Sequence, residues 1–228
     1  SGPPSGTDDA TYASADLDPL VGNTAITTER FPKAGIDPMV LKSSAEQKLK
    51  ILGPLLAVFA IASSVYVGAI AMNWSWFSYH PLAMTVAYVA LAGNAALLKK
   101  VGGKTNTEYH GYMMSAAMLL AMFGWYVIYT NKDKFAKPHN TTWHAYCGLA
   151  CILGFAGMSP FSYFALNPNN GFARTDKTIR MVHKCGGRFL TALAWATCIL
   201  GWMTMQSNLV ARIAFGAPLV CMAPFVLL

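Results

Sequence analysis

The stretch His139-Asn140-Thr141-Thr142-Trp143-His144-Ala145-Tyr146-Cys147-Gly148 sets two histidines five residues apart, at the start of a long apolar run. Three more apolar runs each carry one histidine near their first turn: His80, His110 and His183. Imidazole inside a membrane helix is costly to place, and its ordinary uses are metal ligation, proton relay and polar recognition. One imidazole at the start of each of four consecutive apolar helices is therefore the pattern that a function must explain.

The elements around these histidines read as membrane spans. The chain has 228 residues, 54% of them hydrophobic and 12% charged. A soluble domain carries about a quarter charged residues. Apolar runs near twenty residues recur, the length that crosses a bilayer. The expected spans begin at Ile51, His80, Tyr109, Thr142 and Met181, and a last run, Leu209–Leu228, is either a sixth span or a half-inserted segment. The fold class expected is an all-α membrane bundle of five to six helices. The Trp74, Trp76 and Tyr79 cluster marks an interface, and Asn167-Pro168-Asn169-Asn170-Gly171 marks a turn.

The net charge is +7, and its cations flank the apolar runs. That distribution fits the positive-inside rule and excludes nucleic acid as the partner. Lys48, Lys50, Lys99, Lys100, Lys104, Arg174, Lys177, Arg180, Lys184 and Arg188 fall on the side of the N-terminal arm, and Lys132, Lys134 and Lys137 on the other. The arm side is expected to face cytosol, stroma or matrix. The five cysteines lack C-x-x-C pairing and read as small buried packing residues.

Residues 1–47 form a polar arm without period, residues 48–206 the membrane core, and residues 207–228 an additional membrane segment. The arm is expected to be extended and to dock on partner membrane proteins. The first residue is Ser1 rather than Met, which suggests removal of a targeting segment and an organelle membrane such as the thylakoid.

Alternation of the spans puts His80 and His144 at one depth near the far face, and His110 and His183 at one depth near the arm face. Each pair is able to grip a haem iron from both sides, giving two haem b groups roughly 20 Å apart across the bilayer. Zinc would want all its ligands at one depth.

These residues resemble the cytochrome b561 family. The family pattern His-Pro-Leu-x-Met appears as His80-Pro81-Leu82-Ala83-Met84, His-x4-His as His139 and His144 with Gly148 behind, and His-x3-Gly as His183 and Gly187. The resemblance covers residues 50–205. It implies four of the helices forming a di-haem core, and one-electron transfer from ascorbate on the N-terminal side to monodehydroascorbate or ferric iron on the opposite side. It implies a basic donor site. Lys104 matches one family lysine, Glu108 stands where the family has a second, and Lys99-Lys100 replaces the family's Tyr-Arg. The lysines are otherwise explained by topology alone. His139 matches the family's histidine near the far-side acceptor, or is a loop histidine capping the helix. Trp143 packs on a haem edge or anchors the interface, and Arg188 neutralises a haem propionate or snorkels to the surface. Two other functions remain open: a haem-bearing or structural accessory subunit of a photosynthetic or respiratory complex, and a quinone-reactive anchor subunit.

Overall fold

The computed structural model of the protein describes residues 38–71 and 73–228. Every span expected from hydropathy is a helix, and among the described residues there is no strand. Helix α1 covers Pro38–Val65 and continues through π-helical turns at Tyr66–Ala71. A 3₁₀ turn at Trp76–Ser78 leads into α2, Tyr79–Thr85, then a π-helical segment Val86–Leu91, then α3, Ala92–Val101. These pieces make one crossing. The remaining helices are α4 (Lys104–Lys134), α5 (Trp143–Leu166), α6 (Lys177–Met205) and α7 (Leu209–Leu227). Six stretches are long and apolar enough to cross a membrane. The last is one of them: α7 is a continuous helix through Pro218 and Pro224.

Helix α1 begins well before its apolar run. Ser43, Ala45, Glu46, Gln47 and Lys48 offer nothing that stops helix propagation, and Lys42 and Glu46 pair one turn apart at 4.0 Å. Residues 38–47, expected as part of an extended arm, are the first turns of this helix. The expectation of an extended docking arm otherwise falls on residues 1–37, outside the described residues.

Chain order becomes spatial order in the core. The second crossing packs on α4, α4 on α5, α5 on α6, and α6 returns against α2 and the π-helical segment. Four crossings thus close a square in which the second faces the fourth (α5) and the third (α4) faces the fifth (α6) diagonally. Helix α1 lies against the second crossing, and α7 against α6 and α3. Alanines at 60, 87, 95, 117, 121 and 194 are buried and allow the close backbone approach that drives helix association in lipid.

Local chemistry sets the ends and joints. Gly102 and Gly103 take φ of 80° and 89°, a left-handed link between α3 and α4 that side chains disfavour. Thr142 caps α5 through the Ala145 N–H, and Asp176 caps α6 through the Ile179 N–H. Gly68 has no room for a Cβ, which would meet the Trp74 ring. A π-helical turn leaves a carbonyl without its usual partner, and here the Trp195 indole N–H donates to Tyr88 O at 2.9 Å. Tyr88 is buried and packs on Phe155 with ring centres 5.3 Å apart.

One half-buried amide ties α1 to this core. Asn94 Nδ2 donates to Gly53 O at 3.1 Å and to Ala90 O at 2.8 Å. Hydrogen bonds between membrane helices are worth about 1 kcal/mol. Asn94→Ala should lower stability by about that amount in SDS-titrated unfolding. No change in the unfolding midpoint would mean the tie contributes nothing.

Candidate functional site

The four histidines of consecutive crossings meet in two pairs across the diagonals of the square. His80 and His144 have ring centres 6.1 Å apart with planes at 90°. His110 and His183 have ring centres 6.3 Å apart with planes at 87°. The first pair lies towards the far face and the second towards the face at which α1 begins, as the depth argument expected.

Each ring is fixed by its neighbour helix through Nδ1. His80 Nδ1 donates to Gly124 O at 2.9 Å, from the second crossing to α4. His110 Nδ1 donates back, from α4 to Ala95 O, at 2.9 Å. The other half of the square repeats the device. His144 Nδ1 on α5 donates to Thr197 O on α6 at 2.9 Å. His183 on α6 meets Ser162 Oγ on α5 at 2.8 Å, and that hydroxyl spends its own proton on Met158 O at 2.6 Å. The hydroxyl oxygen therefore accepts from His183 Nδ1–H. A carbonyl accepts only, so the same tautomer follows for the other three rings. All four imidazoles carry the proton on Nδ1 and present the Nε2 lone pair, the form that ligates metal.

The spacing of the rings suits a shared metal atom. Imidazole–metal bonds run about 2 Å, so two rings bound to opposite sides of one atom stand with centres roughly 6 Å apart once the ring radii are added. Among the described residues no cluster of three or more His, Cys, Asp or Glu side chains is placed to hold a metal ion. Each site consists of two imidazoles and a shell of apolar and small residues. Gly201 belongs to that shell: a Cβ there would stand 2.8 Å from His144 Cε1.

The remaining sequence candidates divide by face. On the far face, His139 Nε2 lies 2.8 Å from Asp133 Oδ1, and its ring stacks on Tyr129 at 4.3 Å and 21°. The α5 cap is Thr142, so capping is not what His139 does. Trp143 is 79% exposed and touches Tyr146 edge-on. On the other face, Lys104 is exposed at the first turn of α4. Lys99 Nζ donates to Thr107 Oγ1 at 2.7 Å, and Lys100 Nζ to Phe225 O at 2.7 Å. Arg188 Nη2 turns to α7 and donates to Leu228 O at 2.8 Å. Glu108 accepts from Asn169 Nδ2 at 2.9 Å, which ties α4 beside His110 to the α5–α6 turn. Cys151 and Cys198 are buried and Cys147 half-buried. Cys185 and Cys221 are exposed, contrary to the expectation that all five pack inside, because they sit on the outer faces of α6 and α7.

Sequence reasoning missed the partners of the rings. Gly124, Ala95 and Thr197 act through backbone carbonyls, which leave no mark in residue type. Ser162 did leave one, a hydroxyl in the last turns of an apolar helix.

Comparison with known proteins follows the same residues. The family model described as eukaryotic cytochrome b561 matches residues 79–208, which hold all five histidines. The bovine Transmembrane reductase CYB561D2 is 25% identical over 68% of this chain and 74% of its own length. The sheep Transmembrane ascorbate-dependent reductase CYB561 is 30% identical over 60% of this chain and 56% of its own length. The mouse Probable transmembrane reductase CYB561D1 is 23% identical over 73% of this chain and 79% of its own length.

The reciprocal clamps give a test that reads the rings directly. In nitrogen-15 spectra of histidine-labelled protein, the four core imidazoles should be protonated at Nδ1. Ser162→Ala removes the acceptor of His183 and should redistribute that ring alone, at a cost of roughly 1–3 kcal/mol for the orphaned donor. Nε2-protonated rings in the parent, or a shift at His80 or His144 in the variant, would contradict the clamp assignment.

Proposed function

The chain belongs to the cytochrome b561 family, and on that footing we propose that it carries single electrons across a membrane through two b-type haems. His110 and His183 would hold one haem towards the arm face, and His80 and His144 the other towards the far face. The observation that carries this reading is the pair of ring spacings, 6.1 and 6.3 Å, each with Nδ1 already satisfied. Two imidazoles alone do not complete a metal shell, so the other ligands come from a group bound with the metal, and a porphyrin supplies four in a plane. Bound there, haem supplies a one-electron couple between ferric and ferrous iron.

The rest of the work falls to the protein's own side chains. The clamps hold each ring in place, so reduction demands little movement. Between the two pairs, Tyr88, Phe155 and Trp195 fill the core and exclude water. The donor side is basic: Lys99, Lys104, Arg180 and Lys184 draw an anion to the face nearest His110 and His183. The sheep relative's name makes it ascorbate-dependent, and ascorbate is a singly charged anion that fits this field. Each ascorbate gives up one electron and one proton and leaves as its radical. At the far face, His139 paired with Asp133 stands where an acceptor approaches, with monodehydroascorbate or ferric iron as candidate acceptors. With the basic side facing cytosol, stroma or matrix, electrons leave that compartment.

Glu108 is part of this design. As a tether for Asn169 it holds the α5–α6 turn against α4, and as a carboxylate it lowers the local attraction for anions. Glu108→Gln keeps an oxygen acceptor for Asn169 and removes the charge, so reduction by ascorbate should quicken several-fold. Lys104→Ala should slow it by a similar factor. Added salt should narrow both differences, since exposed charges are screened over roughly 8 Å at physiological ionic strength. Stopped-flow reduction monitored by absorbance checks these outcomes; rates insensitive to both substitutions would remove the anionic donor from this face.

Haem content tests the core of the proposal. Fully loaded protein should yield two acid-acetone-extractable haems per chain, because no Cys-x-x-Cys-His is present for covalent attachment. His144→Ala should lose the far-face haem, and Gly201→Val should imitate it by displacing the ring. One haem per chain in loaded protein would overturn the assignment.

A further inference from the structure

An apolar cavity of about 360 Å³ lies between α6 and α7 and opens on the outer side of the bundle. Ala192, Trp195 and Ala196 line it from α6, and Leu219, Ala223 and Leu227 from α7. The small side chains at 192, 196 and 223 give it its width. Inside a membrane slab this opening meets lipid, and an apolar cavity does not hold water.

The cavity has a charged end. Its α6 floor continues towards the arm face in steps of four residues, from Ala196 through Ala192 to Arg188 and Lys184, so the cations and the floor share one side of the helix. Arg188 donates to the carbonyl of Leu228, itself a lining residue, which puts the guanidinium on the rim. Lys184 is exposed one turn nearer the surface. Lys100 reaches the same end of α7 from the other side, through Phe225 O. The carbonyl end of α7 carries roughly half a negative charge. Among the described residues, Arg188, Lys184 and Lys100 bring cationic side chains to this end.

From this juxtaposition of an apolar, membrane-facing cavity and a basic rim we propose a binding site for one anionic glycerophospholipid. Its phosphate pairs with Arg188 and Lys184, and one acyl chain lies in the cavity against Trp195, Ala196 and Leu219. Basic pockets between helices are the general form of anionic-lipid sites. An acyl chain covers the apolar walls, and a guanidinium offers a phosphate two parallel hydrogen bonds. The site requires only that the helices span a membrane, and it shares Lys184 with the basic donor side.

The test is native mass spectrometry of the full chain with its cofactors, released from mild detergent after mixing with phosphatidylglycerol and phosphatidylcholine of identical chains. One phosphatidylglycerol should be retained with about a tenfold preference over phosphatidylcholine. The double variant Lys184→Gln, Arg188→Gln should still retain lipid but lose the preference. Ala196→Phe fills the cavity and should lower retention of both lipids. Ala223→Phe does the same from the opposite wall, should the first variant fail to fold, as judged by its absorption spectrum. Glycerol phosphate without chains should not compete. Equal retention of the two lipids by the parent, which means annular lipid only, would overturn the site. So would undiminished phosphatidylglycerol retention in a folded Ala196→Phe or Ala223→Phe protein, or competition by glycerol phosphate.

Discussion

A ring N–H in an apolar bundle must find an acceptor or destabilise the bundle, and that constraint governs this protein. Four imidazoles lie within membrane-spanning helices, and each sends Nδ1–H to an oxygen on an adjacent helix. A lost acceptor would cost more in lipid than in water, because no solvent replaces it. Satisfying the donor orients the ring, and orienting the ring leaves Nε2 facing the opposite corner of the bundle. The demand that stabilises the helices is therefore also the one that shapes the sites.

The clamps come in reciprocal sets. The second crossing and α4 exchange bonds through His80 and His110, and α5 and α6 exchange bonds through His144 and His183. Each antiparallel hairpin is locked near both ends by its own histidines. Each facing pair then takes one ring from either hairpin, so the two sites are also what would join the halves. Helices α1 and α7 stand outside this square. Asn94 fastens α1 to it, while Trp202 stacks on Phe215 of α7 at 3.8 Å and 8°. The π-helical turn at Val86–Leu91 falls midway between the two sites, and Trp195 from the other hairpin fills the hydrogen bond it frees.

Much of this was legible from residue types. Histidine spacing and span alternation placed the rings in the pairs that meet, because helix direction reverses at every crossing and depth follows from position within the run. Hydropathy located five crossings and left the last run open, and it fixed their ends poorly: charged and polar turns at Lys42 to Lys50 and at Lys177 to Arg180 continue helices beyond the apolar slab. What stayed hidden was whatever depends on backbone. Gly124, Ala95 and Thr197 serve through carbonyl oxygens, which all residues share. Glu108 read as a lost cation, and only its contact with Asn169 shows its structural use. Arg188 read either as a haem-propionate partner or as a surface snorkel, and its guanidinium donates to Leu228 O, five residues of helix turning it well away from the face that carries His183.

On the proposed function, the four clamped imidazoles would hold two haems with the ring planes crossed. Electron paramagnetic resonance of the oxidised protein tests this most directly. Imidazole planes at 90° and 87° to each other, if each pair held a haem, would give two low-spin ferric signals, both of the strongly anisotropic type produced by perpendicular planes. His144→Ala should remove one of them and leave the other. A single low-spin species in loaded protein, or rhombic signals of parallel imidazoles, would contradict the account.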